Sequence, residues 1–278
     1  MAIRIDSPGK LAADRRGVFD RLSTWVSDPG ADAAYDALPA SKKGRIVSVD
    51  TARLLAPEFR SWSGRIRHTP STGSPAGAYA HDRMMRELAR PRTGSKRLLI
   101  TAGGAGSGKT SQLKAQTSIA ELVFDNQFKN LARARQILSL AVKHGWETDV
   151  VYVHRPFGDV VRAVIERSQR TGRWNALAEL PDAHAEAQRT VVALWREFRM
   201  HANISAIYNA SAGHAQQEPG SRIAIRSLGK GGSYHFGPHE EARQVIAKVL
   251  QASLAEGIVC LEVASIIAQG VRWREPRS

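Results

Sequence analysis

Cysteine is nearly absent from this chain: Cys260 is the only one in 278 residues. One thiol cannot close an internal disulfide, so a disulfide-stapled scaffold is excluded. Cys260 sits in the apolar run IVCLEVASII and reads as a small buried residue. Long hydrophobic runs are missing too. No stretch approaches the roughly 18 apolar residues of a membrane-spanning helix. The opening residues, MAIRIDSPGKLAADRRG, lack the apolar segment of a secretory signal. The expectation is a soluble, cytoplasmic protein. Tandem repeats, Cys/His metal-ligand spacing and a G-x-S-x-G nucleophile elbow are all lacking. Aromatics make up only 6% of the residues, and none interleave with the densest basic cluster, Arg86, Arg90, Arg92, Lys96 and Arg97, as a base-stacking platform requires.

What is abundant is positive charge: 40 Lys and Arg against 26 Asp and Glu, a net +14. Such a balance speaks about partners, not fold. It suits a nucleic-acid surface, an enzyme for polyanionic nucleotides, or an acidic protein partner. The scatter of the basic residues favours small anionic substrates over nucleic acid. With 42% apolar residues the chain can bury a core, as one large domain or two small ones.

The most informative stretch is KRLLITAGGAGSGKT, Lys96 to Thr110. Its octet Gly103, Gly104, Ala105, Gly106, Ser107, Gly108, Lys109, Thr110 fits G-x-x-x-x-G-K-[ST] without a mismatch. A loop that wraps a triphosphate must point successive N–H groups inward, and glycine permits the required dihedrals and close approach. Lys109 then reaches the β/γ-phosphates, the Thr110 hydroxyl meets Mg²⁺, and a following helix aims its positive end at the anion. A strand-like run before the octet and a helix-competent stretch after it, Ser111 to Leu122, supply the context that the motif needs.

Around it the pattern alternates strands and helices. Gly44–Asp50 reads as a strand ending in an acid. Asp50 there is either a catalytic group at a strand's C-terminal end or a plain helix N-cap. The Pro, Ser and Gly content of His68 to Gly77 reads as a loop, followed by a helix to Arg90. Ala120 to Asp125 is a second strand closing on an acid, so Asp125 is a candidate for Mg²⁺ or for the acceptor. Helices are expected over 131–143, 159–170 and 183–200, and strands over 148–154 and 204–208, the latter the last. Arg162, Arg167 and Arg170 lie on one helix and Arg173 just after it. They form either a solvated basic face or a lid that neutralises a transferring phosphate. Residues 1–45 carry an amphipathic helix (Val18, Leu22, Trp25, Val26) and read as an N-terminal helical extension. Residues 46–210 form the core, and 211–278 are a loop with a C-terminal helical extension. The fold class expected is α/β: a three-layer α/β/α P-loop NTPase fold with a mostly parallel sheet.

The segment Asp50-x-x-Arg53-x-x-x-Pro57-x-Phe59, with Arg67-His68-Thr69-Pro70-Ser71 beyond it, resembles the zeta toxin family of P-loop kinases. Ile165-Glu166-Arg167, Arg173 and His184 are similar to that family's lid. In the prototypical members the aspartate segment follows the phosphate loop, whereas here it precedes it. The order is therefore permuted, or Asp125 takes the aspartate's role. The resemblance implies transfer of the γ-phosphate of ATP or GTP to a hydroxyl of a nucleotide-containing metabolite, foremost a UDP-activated amino sugar, with NAD as an alternative. It further implies Asp50 as base, Arg167 and Arg173 on the γ-phosphate, Arg53, His68 and Asp125 toward the acceptor, Mg²⁺ on Thr110 and Asp125, and an acidic antitoxin as a possible partner. A polynucleotide-modifying protein and a non-catalytic nucleotide-binding protein are the competing readings.

Overall fold

The computed structural model describes residues 3, 5, 11–210, 220–233, 235–236, 239–269 and 271. The glycine-poor part of the expected loop at 211–219, Pro238 and the basic tail beyond 271 lie outside them.

Five parallel strands and one antiparallel edge strand make a single sheet. They are β1 (Ile46–Ser48), β2 (Arg97–Ala102), β3 (Leu122–Asp125), β4 (Glu147–His154), β5 (Asn203–Tyr208) and β6 (Arg222–Ile223), in the order β1-β3-β2-β4-β5-β6. The strands are buried on both faces, as helix-covered parallel strands are. Leu98, Ile100, Leu122, Phe124, Val150 and Tyr152 face one apolar cluster, while Leu99, Val123, Val151, Val153 and Ile207 face another. The first face is covered by α4 (Trp62–Ala89), α7 (Leu131–Lys143) and α9 (Leu180–Phe198). The second takes Leu113, between the short helices α5 (Lys109–Gln112) and α6 (Lys114–Ile119). The fold is thus the layered α/β architecture expected. β5 is not the last strand, because β6 pairs with it in antiparallel fashion through Ala206–Ile223 and Ile207–Arg222. The single helix expected over 111–122 is two short ones that end at Ile119, so that Leu122 can join the sheet.

Helices α1 (Ala13–Trp25) and α2 (Ala31–Asp36) share a cluster with α4 and the segment after β1: Val18, Leu22, Val26 and Tyr35 pack with Phe59, Ala76 and Tyr79. Trp25, expected on the apolar stripe, is instead 41% exposed. Tyr35 has a further task. Strand β1 lies at the sheet edge, where unpaired backbone groups are costly or adhesive. The Tyr35 hydroxyl donates to the Ile46 carbonyl and accepts from the Ser48 N–H, both at 2.9 Å. On the far side, α8 (Phe157–Thr171), α10 (His239–Ala255) and α11 (Leu261–Ile267) gather around Val161, Val164, Ile246, Leu250 and Val263. Cys260 precedes α11 and is exposed, contrary to the buried position expected from its apolar run. Its neighbours Val259 and Val263 point inward and leave it outside. Among the described residues no helix is long and apolar enough to cross a membrane.

The largest departure is α4. The stretch 68–77, expected as a loop, lies wholly inside this 28-residue helix. Ser61 caps its start by accepting from the Gly64 N–H at 3.0 Å. Pro70 removes the amide that would bond Ile66, and the Trp174 indole N–H takes that freed carbonyl at 2.9 Å. The Thr69 and Thr72 hydroxyls turn back to the carbonyls of Arg65 and His68. Tertiary partners therefore carry a helix that its own composition disfavours.

Further along α4, Arg83 is 3% exposed and meets Asp32 at 3.1 Å, Asp36 at 3.0 Å and Glu87 at 3.3 Å. Burial pushes the Asp32 carboxyl up, but hydrogen bonds from Arg86 and Tyr79 and the charges of Arg83 and Arg86 outweigh it, leaving a pKa of about 2. The dense basic cluster is spoken for here. Arg86 pairs with Asp32 and Asp82, and Arg90 and Arg92 with Glu87. Lys96 donates to the His144 carbonyl. Arg83→Ala should cost about 3 kcal/mol in urea denaturation, as breaking a buried pair does. Because the folded pKa of Asp32 lies below the ordinary 3.8, its stabilisation is complete above that value and is lost as pH falls toward 2. Asp32→Asn should flatten the acid limb of a stability–pH curve over that interval.

Candidate active site

Register aligns the ends of three strands. Ser48 stands opposite Asp125, and Asp125 opposite Thr101, so β1, β3 and β2 end at one level. The Thr101 hydroxyl donates to Asp125 Oδ1 at 2.7 Å, which holds that carboxylate beside the strand that feeds the glycine-rich loop. Asp50 is not the N-cap. Ser48 is, accepting from the Thr51 N–H at 3.0 Å, and Asp50 lies in the first turn of α3 (Val49–Ala52). The capping alternative for Asp50 is thereby removed.

The loop's glycines are set by space and by dihedral. Gly103, Gly106 and Gly108 have φ of 128°, 78° and 86°. A Cβ on Gly106 would lie 2.7 Å from the Val160 carbonyl oxygen, and one on Gly108 would lie 2.2 Å from Asn209 Nδ2. Gly104 has ordinary φ, yet a Cβ there would meet His184 Nδ1 at 2.8 Å. Ala105 and Ser107 are buried, and the Ser107 hydroxyl has no partner among the described residues. Two clamps that sequence reasoning missed lock the loop from outside. Asn209 Nδ2 donates to the Ser107 carbonyl at 2.7 Å, and Asn209 Oδ1 accepts from Gln112 Nε2 at 3.0 Å. Arg155 donates to the Gly106 carbonyl at 2.9 Å. Both residues immediately follow a strand's C-terminal end, β5 and β4, which is the one signal that could have found them. Lys109 folds back on its own loop, donating to the carbonyls of Gly103 at 2.9 Å and Gly104 at 3.4 Å. Burial pushes its ammonium pKa down, Asp125 opposes the shift and Arg167 adds to it. Thr110, at the start of α5, is exposed.

Cations from two directions come close enough to act on one another: the charge of Arg167 bears on both Arg53 and Lys109. Arg53 follows α3, with its guanidinium over the Phe59 ring at 5.5 Å. Burial, with the charge of Arg167 added, lowers its pKa to about 10. Burial also lowers Arg167, whose Nη2 donates to Asn175 at 2.5 Å. The Nε atoms of Arg53 and Arg167 are buried without a partner among the described residues. Arg173 pairs with Asp50 across 123 residues of sequence. This juxtaposition follows from how the end of α8 docks on α4. The Trp62 indole donates to the Gln169 carbonyl at 2.9 Å, Arg65 to the Thr171 carbonyl at 3.1 Å, and the Trp174 indole to Ile66. Gly172, at φ 72°, lets the chain turn against the Trp62 carbonyl. His68 stands apart from this group. It is buried on α4, and the charges acting on it are those of Arg67, Asp14, Glu58 and Arg15. Beside Arg53, α4 presents Gly73, where a Cβ would meet Arg53 Nη2 at 3.1 Å, and one turn on Gly77, where a Cβ would meet nothing within 4 Å.

This end of the sheet thus carries a glycine-rich backbone loop, a lysine folded onto that loop, two desolvated guanidinium groups with unpartnered Nε atoms and two carboxylates. Desolvated cationic donors of this kind suit an anion. A recess of about 500 Å³ opens at the opposite end of the strands, around Glu147, Asp149 and Asn203, and contains none of these groups.

No family model matches the chain, and no curated protein matches it. Among solved structures it is similar to the crystal structure of AvrRxo1-ORF1:AvrRxo1-ORF2 with sulphate ions, at 11% identity and a TM-score of 0.39. That match covers 76% of this chain and 88% of that one. A likeness at this level carries no inference about activity.

Gly106→Ala should destabilise by about 1–3 kcal/mol, the range for a strained backbone, with the carbonyl collision added. Gly145→Ala has a similar φ of 70° but nothing within 4 Å, so it should cost only the conformational part, about 1 kcal/mol. Thermal unfolding of the two variants side by side separates the close approach from the dihedral.

Proposed function

We propose that this chain is a phosphotransferase of the zeta-toxin type, moving the γ-phosphoryl group of ATP or GTP to a hydroxyl of a nucleotide-containing small molecule. A UDP-N-acetyl amino sugar is the leading acceptor and NAD the alternative. The observation that carries the reading is the desolvated cation group, Lys109, Arg53 and Arg167, gathered around a glycine-rich loop with too little negative charge to balance it. Burying unbalanced cations is costly unless an anion completes the site. A polyphosphate does so, and the loop sequence is the one that cradles it.

In this reading Lys109 leaves the Gly103 carbonyl for the β/γ-phosphates when the donor enters. Arg167 and Arg173 face the γ-oxygens, so Arg173 exchanges the Asp50 carboxylate for phosphate, and Asp50 is released toward the acceptor. The acceptor oxygen bonds to the γ-phosphorus, the bond from that phosphorus to the β,γ-bridging oxygen breaks, ADP or GDP leaves, and the acceptor's proton passes to Asp50. Thr110 and Asp125 offer an oxygen-only donor pair suited to Mg²⁺, which would neutralise charge on the donor phosphates when bound. Among the described residues no cluster of three or more His, Cys, Asp or Glu could hold a metal by itself. Arg53, packed against Gly73, and the open space at Gly77 would face the acceptor. An acidic partner protein is the kind that the net charge would attract. The polynucleotide reading, which rests on the net charge, finds no open patch in the basic cluster at 86–97, where Arg86, Arg90, Arg92 and Lys96 are engaged by Asp32, Asp82, Glu87 and the His144 carbonyl.

With γ-labelled ATP and a panel of nucleotide sugars and dinucleotides, Asp50→Asn should lose phosphoryl transfer by at least two orders of magnitude, within the usual contribution of a general base, while ATP binding persists. Wild-type turnover in that variant would remove Asp50 as the base and leave Asp125. Lys109→Ala should abolish donor-dependent turnover, and an unchanged rate would end the phosphate-loop reading.

A further inference from the structure

One peptide plane of the glycine-rich loop is held by residues to which the proposed transfer gives no part. Asn209, the first residue after β5, is 8% exposed. Its N–H donates to the His154 carbonyl at 2.8 Å, so the end of β4 fixes its backbone. Its side chain reaches two ways. Nδ2 donates to the Ser107 carbonyl at 2.7 Å, and Oδ1 accepts from Gln112 Nε2 on α5 at 3.0 Å. The Ser107 carbonyl only accepts, so the atom facing it must be the donor Nδ2. That leaves Oδ1 toward Gln112, whose amide supplies the matching donor.

The Ser107 carbonyl and the Gly108 N–H belong to one planar trans peptide, so they point in opposite directions. With its carbonyl held by Asn209, that plane turns the Gly108 N–H away from Asn209. Such a plane needs holding, because beside glycine a peptide rotates at little steric cost. Gly108 has φ 86°, and a Cβ on it would lie 2.2 Å from Asn209 Nδ2, so the clamp closes only over a bare Cα. Among the described residues nothing accepts from the Gly108 N–H. Beside it the Ser107 hydroxyl, fully buried, is a second polar group without a partner among those residues. The other clamp differs. Arg155 holds the Gly106 carbonyl, but the N–H on that plane, from Ser107, returns to the Gly104 carbonyl at 3.3 Å. Arg155 therefore closes a turn inside the loop, whereas Asn209 leaves a donor uncommitted.

We infer that Asn209, braced by Gln112, is a positioning residue for the anion site: by holding the Ser107 carbonyl it presents the Gly108 N–H to the phosphate. The inference rests on the phosphate reading of the loop. Asn209 acts through the peptide plane and touches no phosphate itself. Its loss should therefore weaken anion binding by a protein that is still folded.

Isothermal titration with inorganic tripolyphosphate, alongside urea denaturation, tests this in wild type, Asn209→Leu, Gln112→Ala and the double variant. Leucine keeps the size of the Asn209 side chain and removes both hydrogen bonds, and none of these changes alters the net charge. Asn209→Leu should weaken tripolyphosphate binding about 10- to 100-fold, the worth of one hydrogen bond to a charged group. Gln112→Ala should cause a smaller loss, and none in the Asn209→Leu background, because Gln112 acts through Asn209. Gln112 is only partly buried, so its variant decides the matter if Asn209→Leu fails to fold: an affinity equal to wild type would then overturn the inference. Reduced stability with unchanged tripolyphosphate affinity in the folded variants overturns it too, and leaves the phosphate reading of the loop standing. Equal losses from Gln112→Ala in both backgrounds would overturn the bracing of Asn209 by Gln112. If wild type itself does not bind tripolyphosphate, the phosphate reading and the inference fall together.

Discussion

Parallel register is the constraint from which the site follows. Because Ser48, Asp125 and Thr101 stand abreast, everything that leaves the C-terminal ends of β1, β3 and β2 emerges on one rim of the sheet. The loop at 103–110, the carboxylate of Asp125 and the turn carrying Asp50 are brought together by backbone hydrogen bonding before any side chain is considered. The same register explains why chain order matters little. β1 precedes the loop in sequence, yet it sits at the sheet edge beside β3 with its C-terminal end on the shared rim. Tyr35 makes that edge position tenable by satisfying the backbone groups that no further strand covers.

The second determinant is the docking of α8 onto α4. A helix ends with unsatisfied carbonyls, and at the end of α8 these are met by Trp62 and Arg65 from α4. α4 in turn has a carbonyl freed by Pro70, and Trp174 takes it. Each element supplies what the other lacks, and the exchange seats Arg167 and Arg173 opposite Arg53 and Asp50. The interaction that joins the two halves of the cleft is thus a reciprocal repair of helix defects. It is also why a cationic group without enough anions persists: the surrounding contacts impose it.

Much of this was legible in the residues. The alternation of apolar positions marked the strands. The helix over 131–143 is found at its expected bounds, because its stripe of Ala134, Ile137, Leu138 and Ala141 is complete in itself. The glycine-rich octet announced a tight loop, and positive φ at Gly103, Gly106 and Gly108 bears that out. Other features misled. Pro70, Pro75 and two glycines hid a long helix. An apolar neighbourhood suggested a buried Cys260, although the residue itself faces outward. Nothing local announced that the dense arginines of 86–97 would be engaged by Asp32, Asp82 and Glu87.

What the sequence by itself determined is whatever depends on neighbours within a turn or two: strand alternation, amphipathic stripes and the loop whose dihedrals demand glycine. Tertiary structure alone decided the pairing of Arg173 with Asp50, the loss of solvent around Arg53 and Arg167, and the clamps of Asn209 and Arg155. The physical reason is that these depend on groups brought together from distant parts of the chain and on the water excluded when they meet. Desolvation and long-range charge leave no local periodicity to read.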